Sequence, residues 1–398
     1  MKELRFLTIL LILTVTPLVS QPKAYWHTVH LENWFIGTVP PDSIPFRQIT
    51  NLILFDGHTF GKSTSPSVPG YFQPPSNITG TYWARVAQLA HQNGVKMELD
   101  LGTNVNSEYA DVCQAGPGAM QTWAGSVARA IVLFNYDGAD FDAEGGRFPI
   151  NGGMGTMAQL LHDSLAALNP GKKYDITVSC MPNYSDVVGY GISANGAQYF
   201  DQVNPMWYDQ CNPLADPLFK SSTHGCWGSD SSVGATYEHA GIPKSKIGLG
   251  YAVQVYDGCS SCITYFNQVI RYFPGSTIYR DDEAKATWYV GNGHTILYED
   301  EWTTWWKADF IKRKGYGGAM GFCMGRGYLP TPPAGWDRNP AITGMGRGLF
   351  GSGPPPIDSV APLVSLNAPL EGDTVTGIVS LAATASDNVG VARVEFII

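Results

Sequence analysis

From about residue 47 onward, short apolar runs of strand length alternate with longer segments whose apolar residues recur at helical spacing. Strand patterns occupy residues 49–55, 95–101, 137–144, 175–181, 202–208, 247–252 and 318–323, and helical patterns fall at 82–92, 119–134 and 154–168. A first strand between residues 25 and 35 brings the number of strands to eight. Eight strands alternating with helices close most naturally into a barrel of parallel strands. A doubly wound open sheet is the rival, but no Gly-x-Gly-x-x-Gly turn follows an early strand. The expected fold class is therefore α/β, a (β/α)8 TIM barrel. Residues 253–316 are too many for one crossover and contain strand-like pieces near 278–279, 287–289 and 296–298, which predicts a small α+β insertion before the last helix and strand.

The two ends of the chain differ from this rhythm. Lys2 and Arg5 precede an apolar run over residues 6–15, followed by Pro17 and Ser20. That is the pattern of a secretory signal peptide over residues 1–20, so an extracellular protein is expected. No later apolar run reaches the roughly 20 residues of a membrane helix, and no membrane association is expected. The barrel is assigned residues 21–350. Residues 351–361 open with Gly-Ser-Gly-Pro-Pro-Pro and read as a linker. Residues 362–398 carry strand patterns at 364–366, 379–384 and 391–397, and their polar turns resemble those of bacterial immunoglobulin-like modules. This piece is less than half of the roughly 100 residues of a complete sandwich, so a truncated all-β Ig-like segment is expected.

Composition narrows the partners. A formal charge of -9 with 25 Lys and Arg in 398 residues argues against a phosphate-binding surface and so against nucleic acid. The 11 Trp and 20 Tyr favour a sugar ligand, because aromatic faces stack on the apolar faces of pyranose rings. In an exported chain the 7 Cys permit disulfides, and Cys211 with Cys226 and Cys259 with Cys262 are the plausible pairs. Cys180 and Cys323 sit in apolar runs and read as buried small residues.

The chemistry concentrates at the third of these strand patterns. Side chains alternate faces along a strand, so Asp140, Asp142 and Glu144 share one face while Ala139, Phe141 and Ala143 share the other. In a barrel the second face packs on helices and the first points inward, toward the C-terminal mouth where such barrels hold their active sites. Crowded carboxyls cannot all ionise freely, and the outermost, Glu144, is placed to keep a proton and give it to a leaving oxygen. The run also resembles the opening of a calcium loop, but position 12 of that loop would be Asn151 rather than Glu. A purely structural carboxylate network is the other alternative, and burying three acids without function is costly.

At this point the sequence resembles glycoside hydrolase family 18, the chitinase family. Its Asp-x-x-Asp-x-Asp-x-Glu signature is matched by Asp137, Asp140, Asp142 and Glu144, with Gly138 inside it, and its Met-x-Tyr-Asp signature by Met206, Tyr208 and Asp209, with Trp207 between. Residues 279–286, 298–300, Lys307 and 314–320 follow the family's last insertion, helix and strand in order. The resemblance implies hydrolysis of β-1,4-linked N-acetylglucosamine polymers with retention, the sugar's own acetamido oxygen attacking its anomeric carbon. It implies Glu144 as proton donor, Asp142 orienting the acetamido group, Asp140 supporting Asp142, Tyr208 bonding the acetamido oxygen and Asp209 lining the same subsite. Met206, Trp207 and Phe322 are the further candidates for sugar binding. No metal, no cofactor and a monomer are implied.

Three departures bear on substrate choice. Ala143 stands where the family has Trp, Phe322 aligns with its Trp floor, and residues 100–103 replace Ser-x-Gly-Gly with Asp-Leu-Gly-Thr, which brings Asp100 and Glu98 near the cluster. An endo-β-N-acetylglucosaminidase acting on N-glycans and a non-catalytic chitin-binding barrel are the alternatives.

Overall fold

A computed structural model describes residues 24–55, 80–102, 108–143, 153–181, 184–193, 195–208, 233–257, 263–270, 277–281, 285–333, 335–351, 363–369, 373–386 and 396. The chain builds β1 (Trp26–Glu32), β2 (Asn51–Phe55), α1 (Thr81–Gln92), β3 (Lys96–Asp100), α2 (Glu108–Gln114), α3 (Pro117–Leu133), β4 (Gly138–Ala143) and α4 (Gly153–Leu168). It continues with β5 (Asp175–Cys180), α5 (Tyr184–Gly189), β6 (Gln202–Pro205), α6 (Val233–His239) and β7 (Gly248–Ala252). An insertion follows, comprising β8 (Val255–Asp257), β9 (Ile263–Thr264), α7 (Phe266–Val269), β10 (Thr277–Asp281), β11 (Ala286–Gly291) and β12 (His294–Tyr298). The barrel resumes with α8 (Glu301–Lys314), β13 (Gly318–Phe322), α9 (Met324–Gly327) and α10 (Pro340–Phe350), and β14 (Leu363–Ala368) and β15 (Ala382–Ser386) follow in the C-terminal segment.

Eight parallel strands run in the order β6, β5, β4, β3, β2, β1, β13, β7, and a parallel bridge from Val203 to Ile247 joins the two ends of the ring. The insertion is a separate five-stranded sheet, β10, β11, β12, β8, β9, as its length predicts. Its own small core comprises Val255, Phe266, Tyr289, Ile296, Tyr298 and Leu329. β14 and β15 pair antiparallel, with Val364 and Leu366 exposed. The expected signal peptide and most of the linker and third C-terminal strand lie outside the described residues. Among the described residues no helix is long and apolar enough to cross a membrane.

Besides the insertion, the barrel departs from the ideal repeat between β1 and β2. No α-helix separates β1 from β2; the connection is a run of 3-10 turns at Asn33–Phe35, Pro41–Ser43 and Phe46–Gln48. Pro40, Pro41 and Pro45 each lack the N–H that an α-helix would need there. α10 packs against α8 and against the last of these turns, and so covers this side of the barrel. Elsewhere local chemistry sets the boundaries. Asp300 Oδ1 accepts the Thr303 amide at 2.8 Å while Thr303 Oγ1 accepts the Asp300 amide at 2.9 Å, a capping box that starts α8, and Gly315 at φ 76° ends it.

The period-2 pattern of the strands separates the two sides of the barrel wall. Outward residues, among them Leu52, Leu54, Met97, Leu99, Ala139, Phe141, Ile176 and Val178, join the helices in the main core. Phe141 lies stacked on Tyr109 at 5.8 Å and beside Trp123 at 5.5 Å, and truncating so buried a ring costs about 3–5 kcal/mol. Inward residues are largely polar: Thr28, His30, Glu32, Asn51, Glu98, Asp100, Asp140, Asp142, Thr177, Ser179, Gln202 and Asn204 are all buried.

Candidate active site

β4 carries the centre of the site. Asp140 pairs in register with Asp100 on β3 and Thr177 on β5, and Asp142 with Ser179 on β5. Asp140 is fully buried, whereas Asp142, one inward position further along, is 8 % exposed and stands nearer the opening. Gly102 has no room for a side chain: a Cβ there would lie 2.9 Å from Asp100 Oδ2 and 3.1 Å from Asp142 Oδ2. The carboxyls of Asp100 and Asp142 therefore converge on the same point, held in part by the Gly102 amide, which donates to Asp100 Oδ1 at 2.7 Å. Glu144 and Asp209 lie outside the described residues, as do Cys211, Cys226, Cys259 and Cys262.

Aromatic rings cluster on β1, β2 and β13 and just past the end of β6, and reach the acids through His30. Phe322, at the end of β13, stacks on Tyr208 with centroids 5.7 Å apart and planes 5° from parallel. Phe322 also meets Phe55 edge-on at 5.2 Å and His30 at 5.5 Å. Arg326 holds its guanidinium 5.7 Å from the Phe322 ring, a cation–π distance. Trp34, 48 % exposed, packs on Phe55 at 5.6 Å at the edge of this cluster. Met206 is buried, and Trp207 belongs to the main core.

The first two residues of the β4 signature are placed apart from the acids. Asp137 accepts from the Met97 amide at 3.0 Å, from His91 Nε2 at 2.7 Å and faces Lys172 Nζ at 3.1 Å. Burial opposes its ionisation, but these donors outweigh it and hold its carboxyl below the usual range. Gly138 lets β4 approach β5, since a Cβ there would meet Asp175 O at 1.9 Å.

Two polar residues of the site, Glu32 and His30, are not singled out by motif reasoning, whereas Glu98 is one of the two acids expected near the cluster. Glu32 accepts from Cys323 Sγ and, at 3.0 Å, from the Gly325 amide, tying β1 to the turn that follows Phe322. Burial pushes the Glu32 carboxyl up, against the opposing effect of Cys323, backbone amides and Arg326. Cys323 is thus a buried hydrogen-bond donor as well as a small core residue, and Cys180 contacts Tyr237 Oη at 2.9 Å. His30 Nε2 lies 3.7 Å from Asp140 Oδ2. Glu98 accepts from Asn51 Nδ2, and burial, reinforced by the charges of Asp175 and Asp140, pushes its carboxyl well up. The available signal is parity: within the strand 26–32, Thr28, His30 and Glu32 are polar at alternate positions.

Among the described residues no group of three or more His, Cys, Asp or Glu side chains is arranged to hold a metal ion. What the arrangement offers is a set of converging inward carboxyls and, on neighbouring strands, a cluster of aromatic rings, groups suited to stabilising positive charge and to stacking on a sugar.

Known proteins agree with this architecture. The model of glycosyl hydrolases family 18 matches residues 43–326, and that of a bacterial Ig domain matches residues 362–398. Chitinase A1 of Niallia circulans is 24% identical over 347 residues, which cover 73% of this chain and 48% of that protein, so the chain spans about half the length of this curated relative. Catalytic domain 2 of the Group II chitinase of Ostrinia furnacalis superposes with a TM-score of 0.69 at 13% identity, covering 84% of this chain and 98% of that one. A family 18 N-acetylglucosaminidase from Paenibacillus barengoltzii does so with a TM-score of 0.63 at 18% identity, covering 81% and 99%. At these identities the superpositions speak for the fold alone, but the family model spans most of the chain: this protein belongs to glycosyl hydrolases family 18.

Proposed function

We propose that this protein is an extracellular, monomeric glycosidase that cleaves β-1,4 linkages between N-acetylglucosamine units, as in chitin, with retention at the anomeric carbon and assistance from the substrate's acetamido group. What supports this reading is that Asp142 is the more exposed of the two inward acids of β4, with Asp140 fully buried one inward position before it, and that Tyr208 and Phe322, at or just past the ends of two other barrel strands, stack on each other. In a substrate-assisted reaction the acetamido oxygen closes on the anomeric carbon and leaves positive charge on the ring so formed. Asp142 orients the acetamido group and offsets that charge, and Asp140, the inward residue before it, supports Asp142. Tyr208 donates to the acetamido oxygen, and Phe322 forms an apolar floor for the sugar. Met206 and Asp209 shape the same subsite, while Trp207, part of the main core, supports them from behind. Glu144, which follows β4 in sequence, protonates the departing glycosidic oxygen and then activates water. These steps call for no cofactor and no metal. Residues 1–20 direct export, 21–350 form the catalytic barrel, 351–361 link, and 362–398 belong to an Ig-like module.

The test is Glu144→Gln, which keeps shape and hydrogen bonding but removes the transferable proton. Turnover of N-acetylglucosamine oligomers falls by at least about 100-fold while oligomer binding, measured by calorimetry, survives. Near-normal turnover in this variant contradicts the assignment.

A further inference from the structure

The floor of the barrel holds an arrangement that the reaction described above does not require. Thr177 Oγ1 lies 2.8 Å from Glu98 Oε2 and 2.5 Å from Asp140 Oδ1, and all three residues are fully buried. A hydroxyl has one proton to donate and lone pairs to accept with. It cannot donate to two carboxylates at once, so hydrogen bonding is complete only if one of the two acids carries a proton and donates it to Thr177.

The surroundings decide which acid that is. Glu98 Oε1 accepts from Asn51 Nδ2 on β2, leaving Oε2 as the oxygen turned to Thr177. The charged groups facing Glu98 are Asp140 on β4 and Asp175 on β5, both acidic. Among the described residues no cation contributes to the charges facing Glu98, and Lys96, at the foot of β3, is engaged with Asp175 Oδ2 at 2.5 Å. A buried carboxylate with acidic neighbours and no cation of its own is held in the neutral form. Asp140 also lies among acids, with Asp100 in register on β3 and Asp142 on its own strand, but it has a neighbour of another kind: Thr177 faces one oxygen and the imidazole of His30, from β1, lies 3.7 Å from the other.

We propose that Glu98 is a neutral carboxylic acid that donates to Thr177 Oγ1, which in turn donates to Asp140 Oδ1, so that Glu98 acts as a positioning residue that fixes the carboxyl group of Asp140, the inward residue before Asp142 on β4, through this hydrogen-bond chain. The chain runs one way: Asn51 N–H to Glu98 Oε1, Glu98 O–H to Thr177, Thr177 O–H to Asp140. No proton need leave the chain for it to act. Its role in turnover rests on the glycosidase reading above, through Asp140, but the protonation of Glu98 does not.

Two measurements test this together. In infrared spectra at neutral pH, the difference between the wild type and Glu98→Gln shows the C=O stretch of a protonated carboxylic acid; a difference containing only carboxylate bands overturns the proposal. This arm needs no substrate, so it decides the state of Glu98 even if the enzyme reading fails. In the second arm, Thr177→Val removes the donor to Asp140, whose proton affinity then rises. The acid limb of the kcat profile moves to higher pH by about one unit with KM within about twofold, and Thr177→Ser, which restores the hydroxyl, returns the limb to its wild-type place. A merely structural Thr177 would lower stability without moving the limb, and an unmoved limb in a folded, active Thr177→Val protein overturns the link to Asp140.

Discussion

Asp137 and Asp140 belong to one short segment, yet they sit in opposite electrostatic settings. Asp137, at the foot of β4, is surrounded by donors: the Met97 amide, His91 and Lys172. Asp140, inside the barrel, is fully buried among acids, with Asp100 beside it in register and Glu98 reached through Thr177. The same residue type is thus a clamp between helix and strand at one end and part of a charged pocket at the other. The lesson concerns placement. Strand parity turns Asp137 outward and Asp140 and Asp142 inward, and depth along the strand then sets how much water and how many countercharges each one meets.

Substituting the two ends separately breaks the comparison most sharply. Asp142→Asn lowers turnover of N-acetylglucosamine oligomers by about 100-fold or more, because the variant loses the negative charge facing the developing cation, and it leaves thermal stability nearly unchanged. Asp137→Asn does the reverse. It weakens hydrogen bonds from charged donors, so stability falls by about 2 kcal/mol in denaturant titrations while kcat stays at the wild-type level. Loss of turnover in Asp137→Asn without loss of stability would contradict this division of roles.

A smaller effect separates the two ends by pH. The Asp137 carboxyl is held below its ordinary value of 3.8, so the native state binds its proton less tightly than the unfolded chain. The stability it contributes is present above that pH and is lost as pH falls through the lowered value. The Glu98 carboxyl is held well above its ordinary 4.5, so the native state binds its proton more tightly, and stability declines as pH rises beyond 4.5. In equilibrium unfolding, Asp137→Asn therefore flattens the acid side of the stability profile, and Glu98→Gln flattens the side above it. Parallel profiles for the two variants would show that both carboxyls sit in similar environments.

The smallest effect is expected from the C-terminal segment. The linker composition and the exposed apolar residues of β14 argue that the barrel does not rely on it. Removing residues 351–398 leaves turnover on soluble oligomers within about twofold, and a large loss of activity or of folded protein would show dependence on the module.

Much of this was legible in the chain. Strand alternation placed Asp140 and Asp142 on the inner face, and the outward packing of Ala139 and Phe141 follows from the same period. The length of the segment after β7 foretold a separate sheet. What escaped were pairings between residues distant in sequence. Glu32 meets Cys323 and Gly325 because β1 and β13 are neighbours in the barrel, and no local pattern announces that. Thr177 links Glu98 to Asp140 across β3, β4 and β5, a contact set by register rather than by motif. Boundaries slipped where backbone chemistry intervened: β6 stops at Pro205, short of residue 208, and α3 begins at Pro117, where proline suits the first helical turn.

The central claim, substrate-assisted hydrolysis at the inward acids, is tested most directly by following the products of the wild-type protein on N-acetylglucosamine oligomers of defined length, with proton NMR read during the first turnovers. The account predicts new reducing ends that appear first as the β-anomer and equilibrate later, and no comparable cleavage of unsubstituted glucose oligomers, which lack the acetamido group. Initial appearance of the α-anomer, or equal cleavage of the glucose oligomers, would contradict it.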